Sequence, residues 1–457
     1  MPLRKGKNMR ATWGSRIGFI LATAGSAVGL GNIWRFPYLA AQNGGGAFLL
    51  IYLICVGFLG YFLLTAKLAF GHLAKTNFID GFQRVLTEKI SPWWTRLGGG
   101  LTIFNIFAVG SVYSIVISWT LSYLVAAGKN LIGFDKIKID ERLFEALTSS
   151  FGEQLFWILL CLSMAGFILI KGVKSGIEKA SLYLMPALFL LLLFMVGWMI
   201  FLPNAGKGFT YLFVPHWEQL GFSAQGFNWR QLAHLTLLAL GQAIYSLSLG
   251  VGVCFIYGSY LKRESNIKKS ALWVAVLDTC VAILAGMIVL PAVFAFDMEA
   301  GQGPALSFIM LPLVFDNMAG GSFFMLAFFA LLFLSALTSL ISIYEPAINL
   351  IAEKLNFTRA RATLSTLSIN LLCALLVLAS FTKKIDFGKN LFDLFDYITG
   401  TYTMGAMILV YCVFMGWKIC PRLLQNLHTK NPAFKVYFQF VLKWLAPAVL
   451  ILLFLSA

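Results

Sequence analysis

Acidic side chains are scarce in this chain: 19 Asp and Glu stand against 35 Lys and Arg in 457 residues, and charged residues of both signs make up only 12%. With 59% hydrophobic residues and a mean hydropathy of +0.82, there is too little polar surface to clothe a water-soluble globule. Lipid is the expected solvent. Histidine is rarer still, and His72, His216, His234 and His428 are dispersed. No HExxH, nucleophile elbow or paired-carboxylate motif accompanies them, which argues against a hydrolytic enzyme. The cysteines form no CxxC pair and lie mostly inside apolar runs, so neither a zinc knuckle nor a disulfide framework is indicated. Long runs of basic residues are absent too. The net charge of +16 sits in short clusters between apolar runs, which reads as membrane topology rather than nucleic-acid binding.

What the chain has instead is apolar length. About 20 apolar residues cross the hydrocarbon core of a bilayer. Runs of that kind lie near 13–40, 46–73, 96–128, 154–172, 176–202, 230–260, 270–296, 321–355, 361–382, 392–418 and 434–456. They predict an all-α membrane protein of about 11 transmembrane helices, multi-pass in the cell (inner) membrane. Lys and Arg mark the cytoplasmic side. Arg4, Lys5, Lys7 and Arg10 precede the first run, and Lys262, Arg263, Lys268 and Lys269 follow the sixth. The N-terminus is therefore expected in the cytoplasm and, with an odd number of spans, the C-terminus on the opposite side. The basic start runs into a segment much longer than a signal-peptide core, so no cleavable leader is expected.

Residues 23 to 37 read TAGSAVGLGNIWRFP, with Gly25, Gly29, Gly31 and Pro37 in mid-span, where a continuous helix favours Leu or Ala. Two readings are open. Either the helix opens, leaving carbonyls near Gly25 to Val28 in need of a cation, a substrate or water, or a glycine face packs closely on a neighbour. Asn32 and Arg35 weigh against the second, because both are costly at membrane depth unless they line a polar cavity. GQAIYSLSLGVG at 241–252 repeats the theme five spans later. Interruptions in corresponding places predict a 5+5 inverted repeat with interrupted helices 1 and 6. The divisions are then a cytoplasmic N-terminal segment at 1–12, repeat 1 (spans 1–5) at 13–202, repeat 2 (spans 6–10) at 203–418, and a cytoplasmic loop with span 11 at 419–457.

The stretch WGSRIGFILATAGSAVGLGNIWRFPYLAAQNGGGAF, from Trp13 to Phe48, resembles the first span and following loop of the neurotransmitter:sodium symporter family. So do SVYSIVISWT at 111–120, GQAIYSLSLGVG at 241–252, LSALTSLISIYEP at 334–346 and LFDYITG at 394–400, in the same order along the chain. The resemblance implies a leucine-transporter-type fold, of the compact kind found in bacterial amino-acid transporters. It implies a sodium-coupled symporter importing a neutral, hydrophobic L-amino acid by alternating access. A non-transporting amino-acid sensor or a substrate-gated channel on the same fold is the alternative.

Site residues follow from the same resemblance. Sodium site 1 would use the Ala27 carbonyl, the Asn32 side chain, Ser246 and Asp278, completed by the substrate carboxylate. Sodium site 2 would use the carbonyls of Gly25, Val28 and Ser335 with the hydroxyls of Thr338 and Ser339. Two Na⁺ are thus expected. Chloride is not, since Asp278 would supply the fixed negative charge and Ala282 offers no chloride ligand; a protonated structural Asp278 is the other reading. The substrate pocket implied is Ala27, Leu30, Gly31, Val109, Tyr113, Tyr245, Ser246, Ser248, Val251, Ser339 and Ile343. Amine-transporting relatives place an acid where this chain has Gly29, which points to a substrate with its own carboxylate. Arg35 and Asp396 would form an outer gate, and Arg10, Trp13, Tyr260 and Glu353 an inner one. The stretch from Gly176 to Pro186 matches a family spacing that could unwind. The partners expected are the amino acid and the bilayer, with no nucleic acid.

Overall fold

The computed structural model describes residues 11–86, 91–134, 139–223, 226–296, 304–318, 320–385 and 390–456. Regular structure in them is helical apart from a short antiparallel ladder, Phe222–Ser223 against Gly226–Phe227, in a loop. The first span is the bent pair α1 (Arg16–Ala27) and α2 (Gly31–Gln42), whose axes meet at 59°. There follow α3 (Gly46–Ala74), α4 (Pro92–Leu131), α5 (Phe151–Ile170) and α6 (Val173–Met199), then α7 (Trp229–Ser246) and α8 (Val253–Ser259). The later long helices are α9 (Ile267–Ala295), α10 (Gly321–Leu355), α11 (Arg359–Phe381), α12 (Leu391–Lys418) and α13 (Pro432–Leu455), with shorter helices in the connections. Among the described residues 9 helices are long and apolar enough to cross a membrane, and the bent pair makes 10. The run expected to cross at 230–260 is divided into α7 and α8 by a non-helical turn.

Local chemistry explains the two divisions. Ser15 caps α1, its hydroxyl accepting from the Gly18 amide at 2.9 Å, and the helix ends where Val28 turns to ψ 109. At Gly31 an added Cβ would lie 2.7 Å from the Tyr245 ring, so glycine lets the two broken helices touch there. The α7–α8 turn ends at Gly252 with φ 80, a left-handed conformation that glycine adopts without strain.

Helix α10 is the central post. It packs against α1, α4, α6 and α11, and 83% of its apolar window is buried, whereas the corresponding figure for α13 is 28%. The former lies inside the bundle and the latter at its margin. The stretch from Gly176 to Pro186 is helical here, beginning in a widened turn at Val173–Glu178 and continuing with Pro186 inside the helix.

Candidate functional site

The two interrupted helices meet and satisfy one another. The Ser248 hydroxyl donates to the Ser26 carbonyl at 2.7 Å, and Gln242 Nε2 donates to the Gly31 carbonyl at 2.9 Å. Backbone acceptors freed by the breaks thus find partners across the gap. Ser248 has φ 50, uncommon for a residue with a side chain, so its surroundings hold it there.

Around the breaks lies a cavity of about 40 Å³ lined by Ala27, Leu30, Gly31, Val109, Tyr113, Tyr245, Ser246, Ser248, Val251, Ser339 and Ile343. The whole set that the family resemblance assigned to substrate is therefore brought together. The Leu30 amide donates to the Tyr113 hydroxyl at 3.4 Å, at the N-terminal end of α2, where the helix dipole favours an anion. A Cβ on Gly29 would lie 3.0 Å from both the Tyr113 hydroxyl and Ser339 Oγ, so Gly29 faces the same space.

Met404 also lines this cavity, and sequence reading did not single it out. It reaches the site because α12 comes close to Gly250, where an added Cβ would lie 2.5 Å from that of Met404. A second cavity of about 300 Å³, lined in part by Arg35 and His234, shares Tyr245 and Met404 with the first. Those two side chains separate the cavities.

Oxygen atoms gather at two places beside the pocket. Asn32 Nδ2 lies 2.9 Å from Ser246 Oγ, 3.1 Å from the Asp278 carbonyl and 2.9 Å from Asp278 Oδ1. Ser246 in turn donates to Asp278 Oδ2 at 2.6 Å, and all three side chains are buried. Asn32 Oδ1 accepts from the Gly29 amide at 3.1 Å, so a turn of the amide is needed for that oxygen to join the others. Ala27 lines the adjoining cavity.

At the second place, Ser339 Oγ lies 2.9 Å from the Val28 carbonyl and 3.3 Å from that of Gly25. Thr338 Oγ1 lies 2.9 Å from the Ser335 carbonyl. Among the described residues the Ser335 hydroxyl, the Tyr52 hydroxyl and Gln242 Oε1 are buried without a hydrogen-bond partner. Carbonyls and hydroxyls with little net charge suit a hard cation. No group of three or more His, Cys, Asp or Glu that could hold a metal ion occurs among the described residues, so the donor set does not fit a transition metal.

The gate residues are placed less uniformly. Arg35 and Asp396 are not among the ion pairs of the described residues. Arg35 instead lies over the Tyr245 ring, with Cζ 4.8 Å from the centroid, a cation–π contact that holds it on the partition. The expected outer pair is thus not closed. On the inner side Arg10 lies outside the described residues. Trp13 is buried, its Nε1 donating to the Tyr257 carbonyl at 3.0 Å and its amide to that of Tyr260 at 3.3 Å. Glu353 accepts from the Asn77 amide at 3.0 Å and from Asn77 Nδ2 at 2.9 Å, tying α10 to the cap of the short helix Phe78–Arg84 that follows α3.

Two further inner contacts escaped the sequence reading. The Tyr260 hydroxyl donates to Glu345 Oε1 at 2.7 Å, and Arg359 Nη1 donates to the same oxygen at 2.8 Å, making a bidentate ion pair with the fully buried Glu345. An acid inside the apolar run of α10, followed by an arginine at the start of α11, was the available signal. Glu178 accepts from the Gly14 amide at 2.6 Å, the Ser15 amide at 2.8 Å and the Ser15 hydroxyl at 2.8 Å. It binds the N-terminal end of α1 to the start of α6, where a carboxylate complements the helix dipole.

Known proteins resemble this chain along nearly its whole length. The model of the sodium:neurotransmitter symporter family matches residues 10–140 and 145–457. An uncharacterized sodium-dependent transporter of Haemophilus influenzae is 33% identical over 460 residues, covering 98% of both chains. The uncharacterized sodium-dependent transporter YhdH of Bacillus subtilis is 33% identical over 452 residues, covering 97% of each. The crystal structure of MhsT in complex with L-phenylalanine superposes with a TM-score of 0.85 at 32% identity, covering 98% of this chain and 100% of that one.

Proposed function

Because the chain belongs to the sodium:neurotransmitter symporter family, a family of sodium-coupled membrane transporters rather than enzymes, we propose that it imports a neutral, hydrophobic L-amino acid with Na⁺ by alternating access. One observation carries the substrate class. The pocket pairs an anion-favouring end, made by α2 and the Tyr113 hydroxyl, with a mostly apolar wall that includes Val109, Val251 and Ile343. Among the described residues no acidic side chain lines it, so the substrate carries its own carboxylate and needs no countercharge for its side chain. That MhsT was solved with L-phenylalanine supports the same class.

In this reading the substrate carboxylate meets the α2 end and a sodium ion held by the Ala27 carbonyl, Asn32, Ser246 and Asp278. A second sodium is held by the carbonyls of Gly25, Val28 and Ser335 and the hydroxyls of Thr338 and Ser339. Sharing one ion between protein and substrate makes their binding interdependent. Asp278 supplies the charge that makes chloride unnecessary. The carbonyls of Ala27, Tyr245 and Ser246 and the Ser248 hydroxyl receive the ammonium group. Spans 1–5 (13–202) and 6–10 (203–418) are the inverted halves that rock about this site, with the N-terminus cytoplasmic and the C-terminus opposite. Arg35 and Asp396 close over it from outside, while Arg10, Trp13, Tyr260 and Glu353 seal it from within.

A binding screen of the twenty amino acids on purified protein, in Na⁺ against K⁺, tests the substrate class. The result expected is Na⁺-dependent affinity confined to neutral aliphatic and aromatic L-amino acids; tight binding of amines without a carboxylate would contradict it.

A further inference from the structure

Lys67 lies well inside α3 and is only 2% exposed. An ammonium at membrane depth is costly unless it is partnered. Its partner is not an acid: the ion pairs among the described residues join Lys354 to Asp80 and Arg359 to Glu345. Lys67 Nζ donates instead to the Leu249 carbonyl and lies 4.5 Å from the centre of the Tyr411 ring. Cys254 and Cys412 are the other ionisable groups that face it.

Leu249 belongs to the turn at 247–252, where the backbone has left the helix and its carbonyls need donors from elsewhere. The Gly250 carbonyl accepts from Asn105 Nδ2 at 3.0 Å. The carbonyls of Leu247 and Ser248 face Cys254 Sγ at 3.8 and 3.7 Å, and a thiol is a weak donor. Lys67 is thus the charged donor on this turn. The side chains that the turn presents to the cavity, Ser248 and Val251, flank the carbonyl it holds.

We propose that Lys67 is a positioning residue for substrate binding: from behind the pocket its ammonium clamps the Leu249 carbonyl, fixing residues 247 to 252 so that Ser246, Ser248 and Val251 present the substrate surface. A charge-assisted hydrogen bond to a buried carbonyl is strong, and removing the donor leaves that carbonyl unpaired. The turn then has to rearrange, and the pocket with it. The effect on the amino acid rests on the function proposed above; the clamp itself does not.

Two readouts on the full-length protein in lipid nanodiscs test this, with wild type beside Lys67→Met and Lys67→Gln. The first is amide hydrogen exchange without any amino acid. In Lys67→Met the amides of residues 247 to 252 should exchange about tenfold faster, while those of α1 and α10 stay as in wild type. Lys67→Gln keeps an N–H donor at shorter reach and should give a smaller acceleration, about threefold. The second readout is L-phenylalanine affinity in Na⁺, which should fall about tenfold in Lys67→Met while Na⁺ alone still raises the melting temperature. Unchanged exchange of the turn in both variants overturns the proposal. So does equal loosening of α1 and α10, or loss of the Na⁺ response, either of which marks a merely structural lysine. Should Lys67→Met fail to assemble, Lys67→Gln decides alone. If wild type binds no L-phenylalanine, the substrate reading fails and the exchange measurement still judges the clamp.

Discussion

The Ser246 hydroxyl donates to Asp278 Oδ2 at 2.6 Å, joining the end of α7 to the middle of α9 beside the Asn32 amide. In the proposed function this buried carboxylate supplies, at the first sodium site, the negative charge that an anion would otherwise bring. Replacing chloride by gluconate should therefore leave uptake within about twofold, whereas Asp278→Asn should lower it about tenfold or more by removing a full charge from a low-dielectric site. Initial-rate uptake in both salts checks this; a large loss in gluconate would sink the role given to Asp278.

Ser339 Oγ lies 2.9 Å from the Val28 carbonyl, and in the proposed second sodium site the two would share a cation. Ser339→Ala removes that oxygen and should raise the Na⁺ concentration for half-maximal response about tenfold, a cost of roughly 1.4 kcal/mol. Ser339→Thr retains the oxygen and should lie nearer to wild type. The Na⁺ dependence of the melting temperature without amino acid reads the site directly. No difference between the two variants would remove Ser339 from it.

Val251 lines the apolar side of the pocket, and a larger ring there takes up space the substrate needs. Val251→Phe should weaken L-phenylalanine by about tenfold or more while leaving L-alanine within about threefold, because one pocket contact discriminates substrates by about 1–3 kcal/mol. Equal losses for both would mean that the residue acts on the fold rather than on side-chain size.

How much of this was legible follows from the kind of signal each feature leaves. The interruptions at 23–37 and 241–252 were readable because a backbone that leaves the helix in lipid needs glycine and nearby polar groups, and both stand together in each stretch. The pocket residues were readable from the family resemblance: some lie at the breaks, while Tyr113, Ser339 and Ile343 lie in the matching stretches at 111–120 and 334–346. Met404 was not, since it enters through the close approach of α12 to Gly250 and carries no motif of its own. Nor was Glu178 on Ser15, a contact across 163 positions. The Arg35 placement on Tyr245 was also beyond reach, because the family resemblance suggested Asp396 as partner while an aromatic face also attracts a cation.

The Glu345–Arg359 pair is buried on the acidic side, with Glu345 fully inside, so losing one partner strands the other. Glu345→Gln should lower stability by about 3–5 kcal/mol, seen as a fall in melting temperature. Arg359→Gln in the same molecule should restore part of the loss, because the uncompensated guanidinium goes with it. Strictly additive losses would show that the two groups do not act as a pair.

The central claim is that the two oxygen clusters and the pocket between them couple an amino acid to Na⁺. Uptake of radiolabelled L-phenylalanine into proteoliposomes under an inward Na⁺ gradient, with K⁺ on both sides as the control, tests it most directly. The account requires internal substrate to rise above the external concentration in Na⁺ and to collapse when the gradient is dissipated. Equilibration without accumulation, or accumulation indifferent to Na⁺, would contradict it.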